Sequence, residues 1–378
     1  VVVTARPSYS RVKTAMKALQ EREDVELQVV VAASALLERY GSAVDIIRAD
    51  GFPIAATVLN VLEGEDPRSM AKTTGLGVIE MATVLDAIRP EVVVSIADRF
   101  ETMATAVAAS YMNLPLCHIQ GGEVTGSIDE KVRHAVTKLA DLHLVSHDRA
   151  RERVVRMGEN PQSVYVTGCP SIDLAAEVLA EGHKARNFRH RYRGVGTEQE
   201  LDNGYLIVLQ HPVTNEYEAS FQQVTETLHA VRDFGVPALW FWPNVDAGSD
   251  GTSKGIRVFR ENEAPSNIQF YKNMEPEDFL HLLRNSIGIL GNSSVAIREG
   301  SFLGVPAIDV GSRQSGRDRG SNVRSVGYDR TAISQALREW LPSCPRSPDF
   351  LYGDGKAGPR IAELLATLPL RSEKCLAY

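Results

Sequence analysis

Residues 287–310 read IGILGNSSVAIREGSFLGVPAIDV, and this stretch decides the fold. An apolar run at 287–290 breaks into Gly291-Asn292-Ser293-Ser294. Apolar residues then recur at helical spacing over 294–303, and a second apolar run closes the unit at 307–310. Strand, turn, helix and strand in this order form a crossover between parallel strands. Small polar residues at a helix start leave backbone N–H groups open, and the helix dipole adds partial positive charge. Such a place suits a phosphate. It suits a plain N-cap equally, because Asn and Ser are preferred caps.

The same alternation extends outward. Strands are expected at 205–210, 238–242 and 268–271, with helices at 221–234, 255–261 and 276–285. The stretch 186–203 is polar, basic and Gly-containing with no apolar period, and reads as a linker. Ahead of it the pattern runs once more: strands at 1–5, 25–32, 91–97, 116–119, 142–145 and 163–166, helices at 10–23, 34–40, 101–112 and 130–140. This is an α/β chain of two Rossmann-like, doubly wound domains with helices on both faces of parallel sheets. The first domain is expected at 1–185, completed by a C-terminal helix within 359–378, and the second at 186–358. A length of 378 residues suits two cores rather than one.

Composition narrows the function. Apolar residues make up 43% and charged residues 24%, with a net charge of −7, so no global attraction to nucleic acid or membrane is expected. No apolar run reaches the ~18 residues of a membrane span. The cysteines Cys117, Cys169, Cys344 and Cys375 form no CxxC pair and read as free thiols of a cytoplasmic protein. No histidine spacing matches a zinc set, and neither a metal nor a cofactor is expected.

Polar groups gather at strand ends, where doubly wound sheets hold ligands. Glu299, one to two helical turns past the serines, can accept from ribose hydroxyls. The loop GSRQSGRDRGSNVR at 311–324 carries Arg313, Arg317, Arg319 and Arg324, whose forks match phosphate oxygens or simply face solvent. Arg6 and Ser10 follow the first strand without a GxGxxG fingerprint. Asp98-Arg99 ends the strand EVVVSIA and either faces a ligand or caps the next helix. His118, Gln120, Gly121-Gly122, Glu123, Asp129 and Arg133 follow in one strand–loop–helix segment. Asp129 and Arg133 are spaced to pair on one helix face, and Gly121-Gly122 permits close approach of the backbone. His211 and Asn244 end two strands of the second domain.

Together TARPSYSRVK, ADRFET, HIQGGEVTGSIDEKVRHAVTKLADLHLV, VTGCPSID, LQHPVT, WPNVDAGS and GNSSVAIREGSFLGVPAIDVGSRQSGRDRGSNV resemble the hydrolysing UDP-N-acetylglucosamine 2-epimerases of sialic-acid-type biosynthesis. The resemblance implies a glycosyltransferase-B-like fold with a cleft site and UDP held mainly by the second domain. It places Arg6, Ser10, Arg99, His211, Asn244, Ser293, Ser294, Glu299 and Arg313 on UDP. It makes Asp98 and Asp129 catalytic carboxylates, with Arg133 and His118 beside them. His211 is expected to assist the leaving diphosphate as well. One position departs: the family often has Glu before the Gly-Gly, and here it is Gln120. An amide is no general base, so either another group, Glu123 or Asp98, takes that role or the role is not needed with this substrate. The expected reaction is loss of UDP from a UDP-2-acetamido sugar, UDP-GlcNAc or a 2,4-diacetamido-6-deoxy relative, and hydration of the glucal to the free manno sugar. The expected assembly is a homodimer or homotetramer. A non-hydrolysing 2-epimerase, a glycosyltransferase and a non-catalytic sugar-nucleotide binder are the alternatives.

Overall fold

The structure is a computed structural model that describes residues 1–62, 66–96, 98–126, 128–182, 188–243 and 248–377. Two compact units result. The first comprises Val1–Val124, Ile128–Asp173 and Tyr352–Tyr378, and the second Thr125–Ser127 and Leu174–Leu351.

In the first unit, β1 (Val2–Val3), β2 (Val29–Ala32) and β3 (Ile54–Val58) pair in that order. β4 (Val93–Ile96), β5 (Leu116–Ile119), β6 (Leu142–Val145) and β7 (Val164–Val166) pair in another run. All pairs are parallel. β1 lies beside β4, so the spatial order is 3-2-1-4-5-6-7 and the direction of winding reverses between β1 and β4. Burial follows the two-residue period of a strand covered on both faces. Val29 and Val31 join one apolar cluster with Met16, Leu19 and Ile361. Val30 and Ala32 join the opposite cluster with Met81, Leu85 and Val136.

The second unit repeats the plan. β8 (Leu206–Leu209), β9 (Ala238–Phe241), β10 (Ile268–Tyr271), β11 (Gly288–Gly291), β12 (Ala307–Val310) and β13 (Val323–Val326) form one parallel sheet. The order β10-β9-β8-β11-β12-β13 reverses between β8 and β11. Trp240, Phe270, Leu228 and Phe259 anchor its core.

Several expectations need correction. The division falls after Asp173, within the helix Pro170–Ala180, rather than at the polar stretch 186–203. That stretch holds the helix Phe188–Arg191, and Val195 pairs antiparallel with Phe270, so it is packed into the second unit. The helix expected at 34–40 is two 3-10 turns, Ala33–Leu36 and Glu38–Tyr40, divided at Leu37 in extended conformation. The helix expected at 10–23 is broken at Arg11 and Val12 into Arg6–Ser10 and Lys13–Gln20. Among the described residues, no helix is long and apolar enough to cross a membrane.

The last helix, Ala357–Thr367, packs on Lys13–Gln20. Asp173 caps it, accepting from the N–H groups of Ala357 at 2.8 Å and Gly358 at 2.6 Å and from the Thr14 hydroxyl at 2.9 Å. Burial holds the Asp173 carboxyl above its usual range despite these donors. A Cβ on Gly358 would lie 2.6 Å from the Thr14 carbonyl carbon, whereas one on Gly75, exposed on the helix Pro67–Ile88, would meet open space. Gly358→Ala should therefore cost about 1–3 kcal/mol of stability by overpacking. Gly75→Ala should stabilise by up to about 1 kcal/mol through helix propensity. Thermal unfolding of the two variants checks both, and equal midpoints would contradict the close packing.

Candidate active site

In the second unit the reversal opens the C-terminal ends of β8 and β11, the place where such sheets bind ligands. Gly291 ends β11 at φ +136°, and a Cβ there would stand 2.2 Å from the Leu209 carbonyl oxygen. Only glycine lets the two strand ends run this close. The next residue binds them. The side chain of Asn292, fully buried, accepts from the His211 N–H at 2.7 Å and donates to the His211 carbonyl at 2.8 Å. His211 itself is buried.

Ser293 and Ser294 follow, but the expected helix does not. Ser294–Ala296 is a 3-10 turn, Arg298 lies at φ −92°, ψ −78°, and only Glu299–Phe302 is α-helical. Val295 and Ile297 are β-branched and Gly300 is a poor helix former. Asn322 packs against the stretch as well, donating to the Ala296 carbonyl at 3.5 Å and accepting from the Ser301 hydroxyl at 2.5 Å. A macrodipole is therefore not available at this turn, and its donors act as single N–H and O–H groups. Glu299 is buried, and its Oε2 has no hydrogen-bond partner.

The Arg-rich loop divides by role. Arg313 and Gln314 both donate to the Asn292 carbonyl, at 3.3 and 2.9 Å, and the Gln314 Oε1 is buried with no partner. The Arg313 carbonyl accepts from the Gly126 N–H at 3.0 Å. Arg319 instead holds the loop, donating to Asp309 at 3.2 Å and the Gln314 carbonyl at 2.7 Å. Burial raises the Asp309 carboxyl although Arg319 draws it down. Arg317 is buried and Arg324 is exposed. Asn244 lies outside the described residues.

In the first unit the reversal lies between β1 and β4. Arg6 and Ser10 belong to the short helix after β1. Arg6 donates to the Gly41 carbonyl at 3.3 Å, and the Ser10 hydroxyl donates to the Pro7 carbonyl at 3.0 Å. Past β4, Asp98 is buried and does not serve as the helix cap, since Glu101 occupies that position. Asp98 pairs with the guanidinium of Arg133 and lies 3.5 Å from that of Arg11. Arg133 is 1% exposed and also donates to the Glu123 carbonyl at 2.8 Å and Glu130 at 2.9 Å. Burial alone would lower its pKa, but Asp98 and Glu123 outweigh that and raise it. Arg99 directs two nitrogens at Glu101, each 3.2 Å away, and Glu101 also accepts from Ser34 at 3.2 Å.

β5 and its loop supply the rest. His118 is fully buried with its Nδ1 3.1 Å from the Thr137 hydroxyl. Gln120 takes the left-handed φ of +68°. Its Nε2 is 2.8 Å from the Cys169 sulfur, and its buried Oε1 has no partner. Gly122, at φ +75°, would put a Cβ 2.2 Å from the Ala150 carbonyl oxygen, so the loop lies directly on the helix Asp148–Arg156. Glu123 is buried and accepts from Ser146 at 2.8 Å. Asp129 opens the helix Asp129–Leu139, half-buried. Asp98, the Glu123 carbonyl and Glu130 thus gather around the Arg133 guanidinium, and His211, Arg313 and Gln314 around Asn292.

A family model described as UDP-N-acetylglucosamine 2-epimerase matches residues 17–366. The chain belongs to this family. It is 32% identical over its full length, and 98% of the relative's, to "UDP-N,N'-diacetylbacillosamine 2-epimerase (hydrolyzing)" of Legionella pneumophila. It is 28% identical to "UDP-N-acetylglucosamine 2-epimerase" of Neisseria meningitidis, over 89% of this chain and 86% of that one. The solved structure of a UDP-GlcNAc 2-epimerase from Neisseria meningitidis bound to UDP-GlcNAc superposes with TM-score 0.80 over 96% of this chain and 98% of that one, at 18% identity. The fold is therefore the glycosyltransferase-B-like pair of Rossmann domains. The family's enzymes are UDP-sugar 2-epimerases, and this chain is one of them.

Arg11, Glu101, Asn292 as a clamp, Gln314 and Asn322 escaped the sequence reading. Each lies inside a quoted motif, but it has a partner remote in sequence, Ser34 in the case of Glu101. Asn292→Ala would leave the N–H and carbonyl of His211 buried and unmet, at about 1–3 kcal/mol for each group. Urea unfolding should show that loss, and an unchanged midpoint would mean the clamp contributes nothing.

Proposed function

We propose that this enzyme is a hydrolysing 2-epimerase that converts a UDP-2-acetamido-gluco sugar to the free manno sugar and UDP. The observation that carries this reading is Asp98, buried at a strand's carboxyl end with Arg133 and Arg11 against it. The full-length likeness to a relative whose name includes "hydrolyzing" supports the hydrolytic outcome. That name also favours a 2,4-diacetamido-6-deoxy sugar, with UDP-GlcNAc as the second candidate from the Neisseria relative.

In this reading Asp98 removes the proton from sugar carbon 2 while the carbon 1–oxygen bond to UDP breaks. The electron pair becomes the double bond of a 2-acetamidoglucal. Arg133 fixes the carboxylate so that it meets the proton in a set orientation. Water then adds, its hydroxyl to carbon 1 and a proton to carbon 2 from the opposite face, with Glu123 or Asp129 as acid–base partner. Gln120 has no basic atom and contributes hydrogen bonds only. His118 holds the β5 loop through Thr137. The departing diphosphate gains negative charge, which His211, Arg313, Ser293, Ser294, Arg6, Ser10 and Arg99 offset. Glu299 accepts from ribose hydroxyls with the oxygen that has no partner in the protein. Asn244 is a further UDP contact in this proposal. Among the described residues no group of three His, Cys, Asp or Glu could hold a metal ion.

The test is product analysis in deuterated water with both UDP-sugars. UDP and a free manno sugar carrying deuterium at carbon 2 are expected, and an intact UDP-manno sugar as the stable product would refute hydrolysis. Asp98→Asn should lower kcat about 10²–10⁴-fold with UDP affinity unchanged by calorimetry. Near-normal turnover in that variant would exclude Asp98 as the base.

A further inference from the structure

The helix Asp129–Leu139 carries Asp129 and Arg133 in its first turns, and its far end is held by residues that lie long after it in sequence. In the segment after the last helix, the Lys374 ammonium donates to the carbonyls of Thr137, at 3.1 Å, and Ala140. These are among the terminal carbonyls that a helix leaves without intrahelical partners, and a cation is the preferred group beside them. Lys374 also lies 2.7 Å from the carboxylate of Glu159, whose side chain is 3% exposed. Further on, the Ala377 N–H donates to the Gly158 carbonyl at 3.0 Å.

Glu159 does not depend on Lys374 alone. Lys138, on the helix itself, lies 2.5 Å away, and the Nε2 of His143 lies 3.0 Å away. Burial would raise the Glu159 carboxyl, but His143, Lys138 and Lys374 together bring it down to about 2. Burial lowers the pKa of both Lys374 and His143. Asp141, the remaining acid of the cluster, accepts from the Leu116 N–H at 2.9 Å. Without Lys374 the carboxylate keeps Lys138, whereas the carbonyls of Thr137 and Ala140 lose a charged donor. Thr137 is also the residue whose hydroxyl meets His118, and a Cβ on Gly121 would press on it at 2.9 Å. One residue thus joins the last segment, the helix and the β5 loop.

We propose that Lys374 is a positioning residue of this 2-epimerase: it fixes the end of the helix Asp129–Leu139, and so sets Arg133 against Asp98 and His118 beneath the loop that carries Gln120 and Glu123. The proposal rests on the reading of Asp98 and Arg133 given above. UDP recognition, assigned mainly to the second unit with Arg6, Ser10 and Arg99, involves neither Lys374 nor the end of this helix.

The experiment compares the full chain with Lys374→Ala and Lys374→Arg. For Lys374→Ala, kcat should fall about ten- to hundredfold, with KM and UDP affinity within about twofold. Lys374→Arg, which keeps a cation and its donors, should recover kcat to within about threefold. Amide hydrogen exchange over residues 129–140 should quicken in Lys374→Ala and return to the unaltered rate in Lys374→Arg. A lowered melting temperature with kcat unchanged would reduce Lys374 to a structural contact and overturn the proposal. So would a loss that arginine does not rescue, or unaltered exchange in the helix. If the unaltered chain turns over no UDP-sugar, the proposed function fails on its own, and the exchange measurement still decides whether Lys374 holds the helix.

Discussion

A guanidinium cannot be taken almost wholly out of water without partners, and Arg133 is 1% exposed. The first unit is arranged around that requirement. Asp98 arrives from the end of β4, the Glu123 carbonyl from the loop after β5, and Glu130 from the same helix one turn earlier. A strand end 35 residues away and the loop just ahead of the helix are thereby brought to one charge. Arg11, from behind β1, approaches the other side of Asp98 and joins the two strands at which the sheet reverses. The pairing does not need to add stability. Removing one partner from such a buried set is costly, and that cost holds the carboxylate in a single orientation.

The second unit meets its corresponding problem with backbone groups. Its reversal lies between β8 and β11, and a neutral amide bridges it. Asn292 exchanges two hydrogen bonds with the backbone of His211 and offers its own carbonyl to Arg313 and Gln314. Arg313 reaches that carbonyl with one nitrogen at 3.3 Å. Arg319, paired with Asp309, holds the loop around it.

How much of this was legible depended on the range of each signal. β5, β6, β10 and β12 stand where the apolar runs put them, because each run is short, buried on both faces and bounded by turn residues. β3 was missed because Ile54–Val58 alternates partly buried and exposed positions and is rich in Ala and Thr, so it lacks a continuous apolar run. The 3-10 turn at Ser294 was read as a helix because the apolar spacing is compatible with both, and Asn322, which reaches the Ala296 carbonyl, lies beyond the next strand. The polar residues at the two strand ends could be named from the sequence. Their pairing could not. The structure sets Asp98, brought in by sheet topology, and the Glu123 carbonyl on the Arg133 guanidinium.

Gln120 follows from the same accounting of charge. Asp98, Glu123 and Glu130 already lie about Arg133, and the first two are buried. A further carboxylate in the β5 loop would add negative charge beside this set, and it would favour protonation of its neighbours. An amide of nearly the same size avoids that. It retains a donor for the Cys169 sulfur and an acceptor, Oε1, that no protein group satisfies. The left-handed backbone at Gln120 is uncommon for a residue with a long side chain, and it is held by Gly121-Gly122 lying flat against Thr137 and Ala150. Both the backbone geometry and the unmet acceptor persist although the basic atom is gone. Gln120 therefore contributes shape and hydrogen bonding, and under the proposed reaction proton abstraction falls to a carboxylate near Arg133.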